Sequence, residues 1–92
     1  MTLNEEIRLK LRIKSTAFDE GEITPLVQAC KADMKRAGVP VVDEEHPLTR
    51  EAIKLYCQAF FGSNNPDTDK YRKCYESIRD GLALVGDDYF EA

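Results

Sequence analysis

The sequence contains few of the residues that enzymes and metal proteins use for chemistry. Among 92 residues it has one histidine, His46, three cysteines and no tryptophan. It contains no CxxC pair, no HExxH motif and no glycine-rich phosphate loop, which are the spacings typical of zinc sites, metalloproteases and nucleotide-binding enzymes. We therefore expect a protein that is not an enzyme, with no catalytic, cofactor-binding or metal-binding residues.

The cysteines are too few and too scattered to form a disulfide framework. Cys30, Cys57 and Cys74 leave one thiol over in any pairing, and each falls on the apolar side of a helix predicted below. A free thiol in that position behaves as a small hydrophobic side chain. We expect three reduced, buried thiols, as is typical of cytosolic proteins. Oligomerisation is then the remaining support that a domain of this size commonly uses.

Charge and hydropathy argue against two further classes of protein. Thirteen basic and 17 acidic residues give a net charge of −4, whereas proteins that grip nucleic-acid phosphates present basic surfaces. No apolar run reaches the roughly 20 residues that span a membrane, and residues 1–10 lack a signal peptide's apolar core. The charges are unevenly distributed, because residues 1–14 carry four basic and two acidic side chains and residues 85–92 carry three acidic ones.

The apolar pattern predicts a single all-α domain over residues 1–92, built as a small bundle of four helices. The helices are expected at about 3–14, 20–37, 47–61 and 66–85, because apolar residues recur there at the 3.6-residue period of an α-helix. The loop at 39–46 is expected to be flexible and the C-terminal tail to be disordered. The ordered core then covers about residues 3–85.

Helix 1 is the segment whose pattern alone does not decide between helix and strand. Its first residues have the Thr-x-x-Glu spacing of a capping box, yet apolar and basic residues then alternate with the period of a strand. On a helix, Ile7 and Leu11 fall on one arc and Leu9 and Ile13 on another. Because two apolar arcs suit a helix between its own core and a neighbouring subunit, these four residues are the predicted subunit interface.

Helix 2 has two possible starts. Asp19 could cap it, which leaves Pro25 inside the helix and distorts the first turns. Alternatively, Thr24 caps it and Pro25 takes the first helical position, where proline is favoured. Its end is better defined, because Gly38 is a natural residue to follow a helix and Pro40 forbids continuation.

Helix 3 is apolar over about two thirds of its circumference at 3.6 residues per turn. Its polar strip consists of Arg50, Glu51, Lys54 and Gln58. Such a helix must be covered on several sides, so we expect it at the centre, beneath the apolar stripes of helices 2 and 4. Contacts between subunits then fall to helix 1 and the two ends of the bundle. The stripe of helix 4, which is expected to end at Gly86, is Tyr71, Cys74, Tyr75, Ile78, Leu82 and Val85.

Four blocks of sequence, taken together, resemble a known family. They are LNEEIRLKLRIKS, EITPLVQACKADMKRAGV, PLTREAIKLYCQAFFG and DKYRKCYESIRDGLAL. In order, spacing and total length the chain is similar to the small head–tail connector proteins of long-tailed double-stranded DNA phages and prophages. These are also called head-completion, adaptor or DNA-packaging proteins. The resemblance extends to about residue 84 and favours a helix over a strand for residues 3–14.

The resemblance implies a structural protein of the virion, located at the head–tail junction and made in the cytoplasm of the bacterial host. Such a protein forms a homo-oligomeric ring that matches the twelvefold portal, docks on the portal protein and extends the DNA channel. The ring receives the next head-completion or tail protein, and double-stranded DNA passes through without sequence-specific binding. The resemblance implies no cofactor and no membrane. By position, Tyr89 and Phe90 would contact the portal.

Two other functions use the same residues. The apolar surfaces would also suit a small helical protein-interaction module or phage regulator that forms no ring. Alternatively, Arg8, Lys10, Arg12 and Lys14 would contact DNA phosphates, which predicts salt-dependent binding. The net negative charge opposes that second alternative. It suits the wall of a DNA channel instead, because it repels phosphate and does not retain the passing duplex.

Overall fold

The computed structural model describes residues 1–61 and 66–91, and for residues 85–91 it describes the backbone alone. It contains α1 (Leu3–Leu11), α2 (Thr24–Arg36), α3 (Pro47–Phe60) and α4 (Thr68–Glu91). The chain is 76% helical and the described residues form no strand, which confirms the predicted all-α bundle. α4 continues past Gly86, where it was expected to end. The predicted disordered tail falls on residues whose side chains lie outside this description.

α1 begins at the predicted capping box and ends three residues earlier than predicted. The Thr2 hydroxyl accepts a hydrogen bond from the Glu5 N–H (3.2 Å), and the Glu5 carboxylate accepts one from the Thr2 N–H (3.2 Å). Arg12 then adopts the left-handed conformation, with φ 59°. The N–H groups of Arg12 and the next residue donate back to the last turn of α1, at 3.2 and 2.9 Å. A residue in the left-handed conformation commonly ends an α-helix, although that residue is more often glycine.

A distorted segment precedes α2. A 3₁₀ turn (Thr16–Phe18) and a π-helical turn (Asp19–Ile23) lead directly into it, and the Thr24 N–H donates to the Asp19 carbonyl five residues back. Pro25 lies in the first turn of α2, where its missing N–H removes no bond that the helix needs. Neither predicted cap is used, because the residue before α2 is Ile23 and it makes no side-chain capping bond. The distorted turns ahead of Pro25 agree with the first alternative.

The end of α2 is a glycine-closed turn, as predicted. Gly38 has φ 101°, a conformation that residues with a Cβ rarely adopt. The N–H of Gly38 donates to the Lys35 carbonyl (3.1 Å), and that of Val39 donates to the Met34 carbonyl (3.0 Å). Val39 and Met34 are both buried, which is the apolar contact that accompanies this motif.

α3 lies at the centre and packs against α1, α2 and α4. Two residues of its polar strip lie beneath α1. The Arg50 and Lys54 side chains are each 13% exposed, because α1 covers them and Glu6 pairs with both. Three helices therefore cover α3, and the main buried side chains are Ile7, Ile23, Val27, Cys30, Met34, Ala52, Ile53, Cys57, Tyr75 and Leu82.

The thiols differ from the prediction at one position. Cys30 and Cys57 are buried and free, but Cys74 is exposed. α4 directs Tyr75 and Leu82 into the core, and Cys74 precedes Tyr75 by one residue, about 100° around the helix. Cys74 lies at the edge of the predicted apolar stripe of helix 4 and is therefore exposed to solvent.

Candidate functional site: interaction surfaces of the bundle

The outer face of α1 carries an exposed apolar surface. Met1 is 77% and Leu9 62% exposed, and Ile13 is half-buried. Together with Arg8 and Lys14 they line a shallow depression of about 240 Å³, whose lining comes entirely from residues 1–14. Met1, Leu9 and Ile13 are referred to below as the α1 surface.

The four predicted interface residues separate according to the two arcs of helix 1. Ile7 is fully buried within the chain, and Leu11 packs against the core. Leu9 and Ile13 lie on the outer arc. The subunit interface remains a prediction, and these two residues are the members of the set that a neighbouring molecule can contact. The predicted portal contacts, Tyr89 and Phe90, lie outside the side chains that the structure describes.

The outer face of α4 carries a second surface. Leu84 is 87% exposed, and Cys74, Ser77 and Gly81 precede it at spacings that place all four on one side of a helix. None of the four is charged, and a Cβ atom added at Gly81 would meet no neighbouring atom within 4 Å. Cys74, Ser77, Gly81 and Leu84 are referred to below as the α4 surface.

A cluster of aromatic rings marks the C-terminal end of α3. Phe18 meets Phe61 edge to face, with 5.9 Å between ring centroids. Phe60 packs against Tyr56 at 4.7 Å. Phe18 and Phe60 nevertheless remain 41% and 42% exposed, so this end of the bundle is a third partly apolar area.

An ionic network holds α1 against α3. The Glu6 carboxylate pairs with Arg50 and, at 3.1 Å, with Lys54. The hydrogen bonds from Arg50 and Lys54 lower the pKa of Glu6. Arg50 also donates to the backbone carbonyls of Glu44 (3.2 Å) and Met1 (3.0 Å). The network fixes the inner side of α1 and leaves the α1 surface outward.

The most strongly perturbed ionisable groups lie between α2 and α4. Asp33 accepts hydrogen bonds from the Tyr75 hydroxyl (2.7 Å), from Arg79 (3.0 Å) and from Arg36 (2.6 Å). Burial raises the pKa of the Asp33 carboxyl, but these three hydrogen bonds outweigh it and lower that pKa to about 2. The Arg79 guanidinium also lies over the Tyr75 ring, 5.7 Å from its centroid.

Perturbed ionisable groups often mark catalytic sites, but in this cluster the groups neutralise one another. Burial raises the pKa of Tyr75, and its hydrogen bond to Asp33 raises it further, so the phenol stays protonated. Burial also raises the pKa values of the Cys30 and Cys57 thiols to about 12, which leaves neither as a nucleophilic thiolate at neutral pH. The cluster connects two helices and leaves no free base.

A groove beside α1 and α2 is also lined by paired charges. It has a volume of about 450 Å³ and lies beside α1 and α2. Arg8 pairs with Asp19 across it at 3.3 Å, and Lys31 pairs with Glu44 at 2.7 Å. The charged side chains that line this groove therefore have partners of opposite sign within the chain. Because Arg8 pairs with Asp19, its charge is already neutralised within the chain, unlike the charges that DNA contact would require of the basic run Arg8, Lys10, Arg12 and Lys14.

Within residues 1–61 and 66–84, no group of three or more metal-ligating side chains is placed to hold an ion. None of the helices in this part of the chain combines the length and apolarity needed to cross a bilayer. Compared with known proteins, the chain matches no family model, no curated protein and no solved structure. The exposed surfaces are therefore the features of this chain that bear on its function.

Sequence reasoning missed three of the exposed apolar side chains. Leu84 follows the buried Leu82 by two residues, which places it about 160° away on a helix, so its exposure was detectable from spacing. Phe18 lies between predicted helices 1 and 2, where no periodicity applies. Phe60 was assigned to the broad apolar side of helix 3, which turns out to extend past its neighbours at the C-terminal end.

Proposed function

We propose that this chain is a structural, non-enzymatic virion protein that forms a ring between the phage portal protein and the next head-completion or tail protein. The ring extends the DNA channel, and double-stranded DNA passes through it without sequence-specific binding. The observation that carries the proposal is the presence of two separate exposed surfaces without charged residues on one protomer, the α1 surface and the α4 surface.

Two different surfaces are what a ring requires. A twofold dimer uses one patch twice, whereas a ring joins one patch to a different patch on the next subunit. The α1 surface comes from residues 1–13 and the α4 surface from residues 74–84. Both helices pack their inner sides on α3, so both outer sides are open. Exposed apolar side chains that are grouped on a surface, as Met1 and Leu9 are beside α1, commonly mark interaction sites.

The remaining features fit a conduit rather than an enzyme. The two buried thiols are protonated and the Asp33 cluster is internally neutralised. The net charge of −4 repels a passing duplex. The exposed Phe18 and Phe60 at one end of the bundle offer a contact for the protein stacked next to the ring, and Tyr89 and Phe90 are the proposed portal contacts.

The proposal is tested by the particles that the purified protein forms. Sedimentation velocity over rising concentration, alone and with the portal protein encoded in the same genome, should reveal a closed oligomer or a portal complex. Electron microscopy should show that oligomer as a ring. The portal protein alone is the control. A chain that stays monomeric in both settings, or that forms a dimer without portal binding, contradicts the proposal and supports the interaction-module alternative.

A further inference from the structure

α1 is attached to one side of the bundle and is joined to the rest of the chain by a strained turn. We infer that α1 is an exchangeable arm, which leaves α3 of its own chain and packs on α3 of a neighbouring copy when the protein assembles. The inference rests on the proposed function, because it names how neighbouring subunits of the ring would be joined.

The contacts of α1 are concentrated on one neighbouring helix. α1 packs on α3 and, to a smaller extent, on the π-helical turn before α2. Only Leu3 and Ile7 of its side chains are buried. The groove of about 450 Å³ beside α1 and α2 has Asn4 of α1 and Gln28 of α2 in its lining, so these two helices do not close against each other there. α1 can therefore leave the bundle while α2 and α4 stay packed on α3.

The turn that follows α1 carries backbone strain. Arg12 has φ 59°, in the left-handed region that is unfavourable for a residue with a Cβ atom. This strain would disappear if residues 12–14 continued α1 as a helix, which is the longer helix that the sequence pattern predicts over about residues 3–14. A straight continuation would carry α1 away from its own α3, because the bend at Arg12 would be lost. Short connections under strain favour the exchange of an element between copies.

The face of α3 beneath α1 requires a specific partner. Arg50 and Lys54 are each 13% exposed and pair with Glu6, so departure of α1 would remove a carboxylate from two largely buried cations. Loss of one partner from a buried ion pair is strongly unfavourable. The α1 helix of a second copy supplies the same carboxylate together with Leu3 and Ile7. A second copy of this chain is therefore the occupant that restores every contact.

Exchange also provides the unlike contacts that a ring requires. Each copy gives its α1 to one neighbour and receives α1 from the other, which is a head-to-tail arrangement. Leu9 is 62% exposed, and Leu9 and Ile13 lie on either side of Arg12 or close to it in the sequence. Both side chains would lie near the connection between two copies, where removal of apolar surface from water favours association.

The ion pair between Glu6 and Lys54, at 3.1 Å, allows a test without any substitution. A carbodiimide joins such a carboxylate and ammonium group in an amide bond, with loss of water. Isotopically light and heavy wild-type chains are mixed, refolded together, assembled, cross-linked and digested for mass spectrometry. Exchange predicts cross-linked peptides in which Glu6 comes from a light chain and Lys54 from a heavy chain, and the reverse. The Lys31–Glu44 pair, at 2.7 Å, joins α2 to the loop that follows it and is the control, which should give unmixed peptides.

Two substitutions of Arg12 form a matched pair at the strained turn. Arg12→Gly and Arg12→Ala both remove the guanidinium group. Glycine relieves the left-handed strain and disfavours a continuous helix, whereas alanine does neither. Arg12→Gly should therefore weaken assembly by at least about fivefold, and Arg12→Ala should assemble like the wild type. Sedimentation velocity measures assembly, and circular dichroism confirms that both variants are folded.

The outcomes separate this inference from the proposed function. Unmixed Glu6–Lys54 peptides from assembled wild type would show that α1 stays on its own chain, and rings formed in that case would leave the proposed function standing. Equal assembly of Arg12→Gly and Arg12→Ala would also overturn the inference, because strain at the turn would then have no influence on exchange. A wild type that stays monomeric at every concentration and with portal protein contradicts both the inference and the proposed function.

Discussion

The Tyr75 hydroxyl donates a hydrogen bond of 2.7 Å to the Asp33 carboxylate, and this bond connects α4 to α2 beside the core. The same carboxylate oxygen accepts from Arg79 at 3.0 Å, and the Tyr75 ring packs edge to face on Tyr56 of α3 at 5.0 Å. One residue of α4 thus contacts both neighbouring helices. These contacts set the rotation of α4 about its own axis, and that rotation directs Leu84 outward.

The first prediction concerns the strength of this connection. Tyr75→Phe keeps the ring packing and removes the bond to a charged acceptor, which should lower the free energy of unfolding by about 1.5–3 kcal/mol. Urea unfolding followed by circular dichroism measures the change. Tyr71→Phe, a half-buried tyrosine of the same helix, should change stability by less. Equal stability of wild type and Tyr75→Phe would show that the bond contributes nothing net.

The second prediction concerns acid. The pKa of Asp33 is about 2 in the folded protein, below its ordinary value of 3.8. A lowered pKa stabilises the folded state above the unfolded pKa, and that stabilisation is lost as pH falls from about 4 toward 2. It amounts to roughly 2 kcal/mol. The difference in unfolding free energy between wild type and Asp33→Asn should therefore shrink between pH 5 and pH 2.5. A constant difference across this range would contradict the assignment.

Periodicity was sufficient to predict the four helices and most of the core. Val27, Cys30 and Met34 recur at helical spacing and are buried, and Gly38 closes α2 in the left-handed conformation that its position after the helix indicated. These features depend on neighbours within a few residues in the sequence. A local pattern is enough to specify them.

Features that depend on distant partners were not predictable in the same way. Glu6, more than 40 residues earlier in the sequence, pairs with Arg50 and Lys54 of the polar strip of α3 and so covers these two side chains. Asp33 likewise interacts with residues 42 and 46 positions later. A helical pattern does not specify which charged residues of separate helices will pair. The ionic networks around Glu6 and Asp33 could therefore be identified only from the structure.

The third prediction concerns a buried hydroxyl. Thr49 is fully buried in α3, and among the described residues its Oγ1 has no hydrogen-bond partner. Thr49→Val has nearly the same shape and removes the unsatisfied group, so the free energy of unfolding should rise by about 1 kcal/mol. Thermal unfolding measures the change, which corresponds to about 4–8 °C for a domain of this size. Thr24→Val, at an exposed position, is the control. A destabilised Thr49→Val protein would indicate that the hydroxyl has a partner.

The fourth prediction concerns the end of α1. Arg12 has φ 59°, a conformation that costs a residue with a Cβ about 1–2 kcal/mol. Glycine adopts it without that strain but loses more chain entropy on folding, so Arg12→Gly should stabilise the protein by about 0.5–1 kcal/mol. Lys14→Gly, at an exposed position two residues later, is the comparison and should not stabilise. The urea unfolding midpoints of the two variants and the wild type measure these changes in stability. A midpoint for Arg12→Gly below that of the wild type would indicate that the arginine side chain makes compensating contacts.

The fifth prediction separates folding from assembly at Gly81. Within one chain a Cβ atom fits freely at this position, so Gly81→Ala should raise the free energy of unfolding of the monomer by about 1 kcal/mol through better helix propensity. If a neighbouring subunit approaches the α4 backbone closely, the same methyl group should weaken assembly even though the protomer is more stable. Gly21→Ala, at another glycine with open space but outside the α4 surface, should leave assembly unchanged. Sedimentation and urea unfolding on the same samples measure the two effects independently. A Gly81→Ala protein that is more stable and assembles as well as the wild type would place the subunit contact elsewhere, because a contact made through the α4 surface cannot be indifferent to a side chain at its centre.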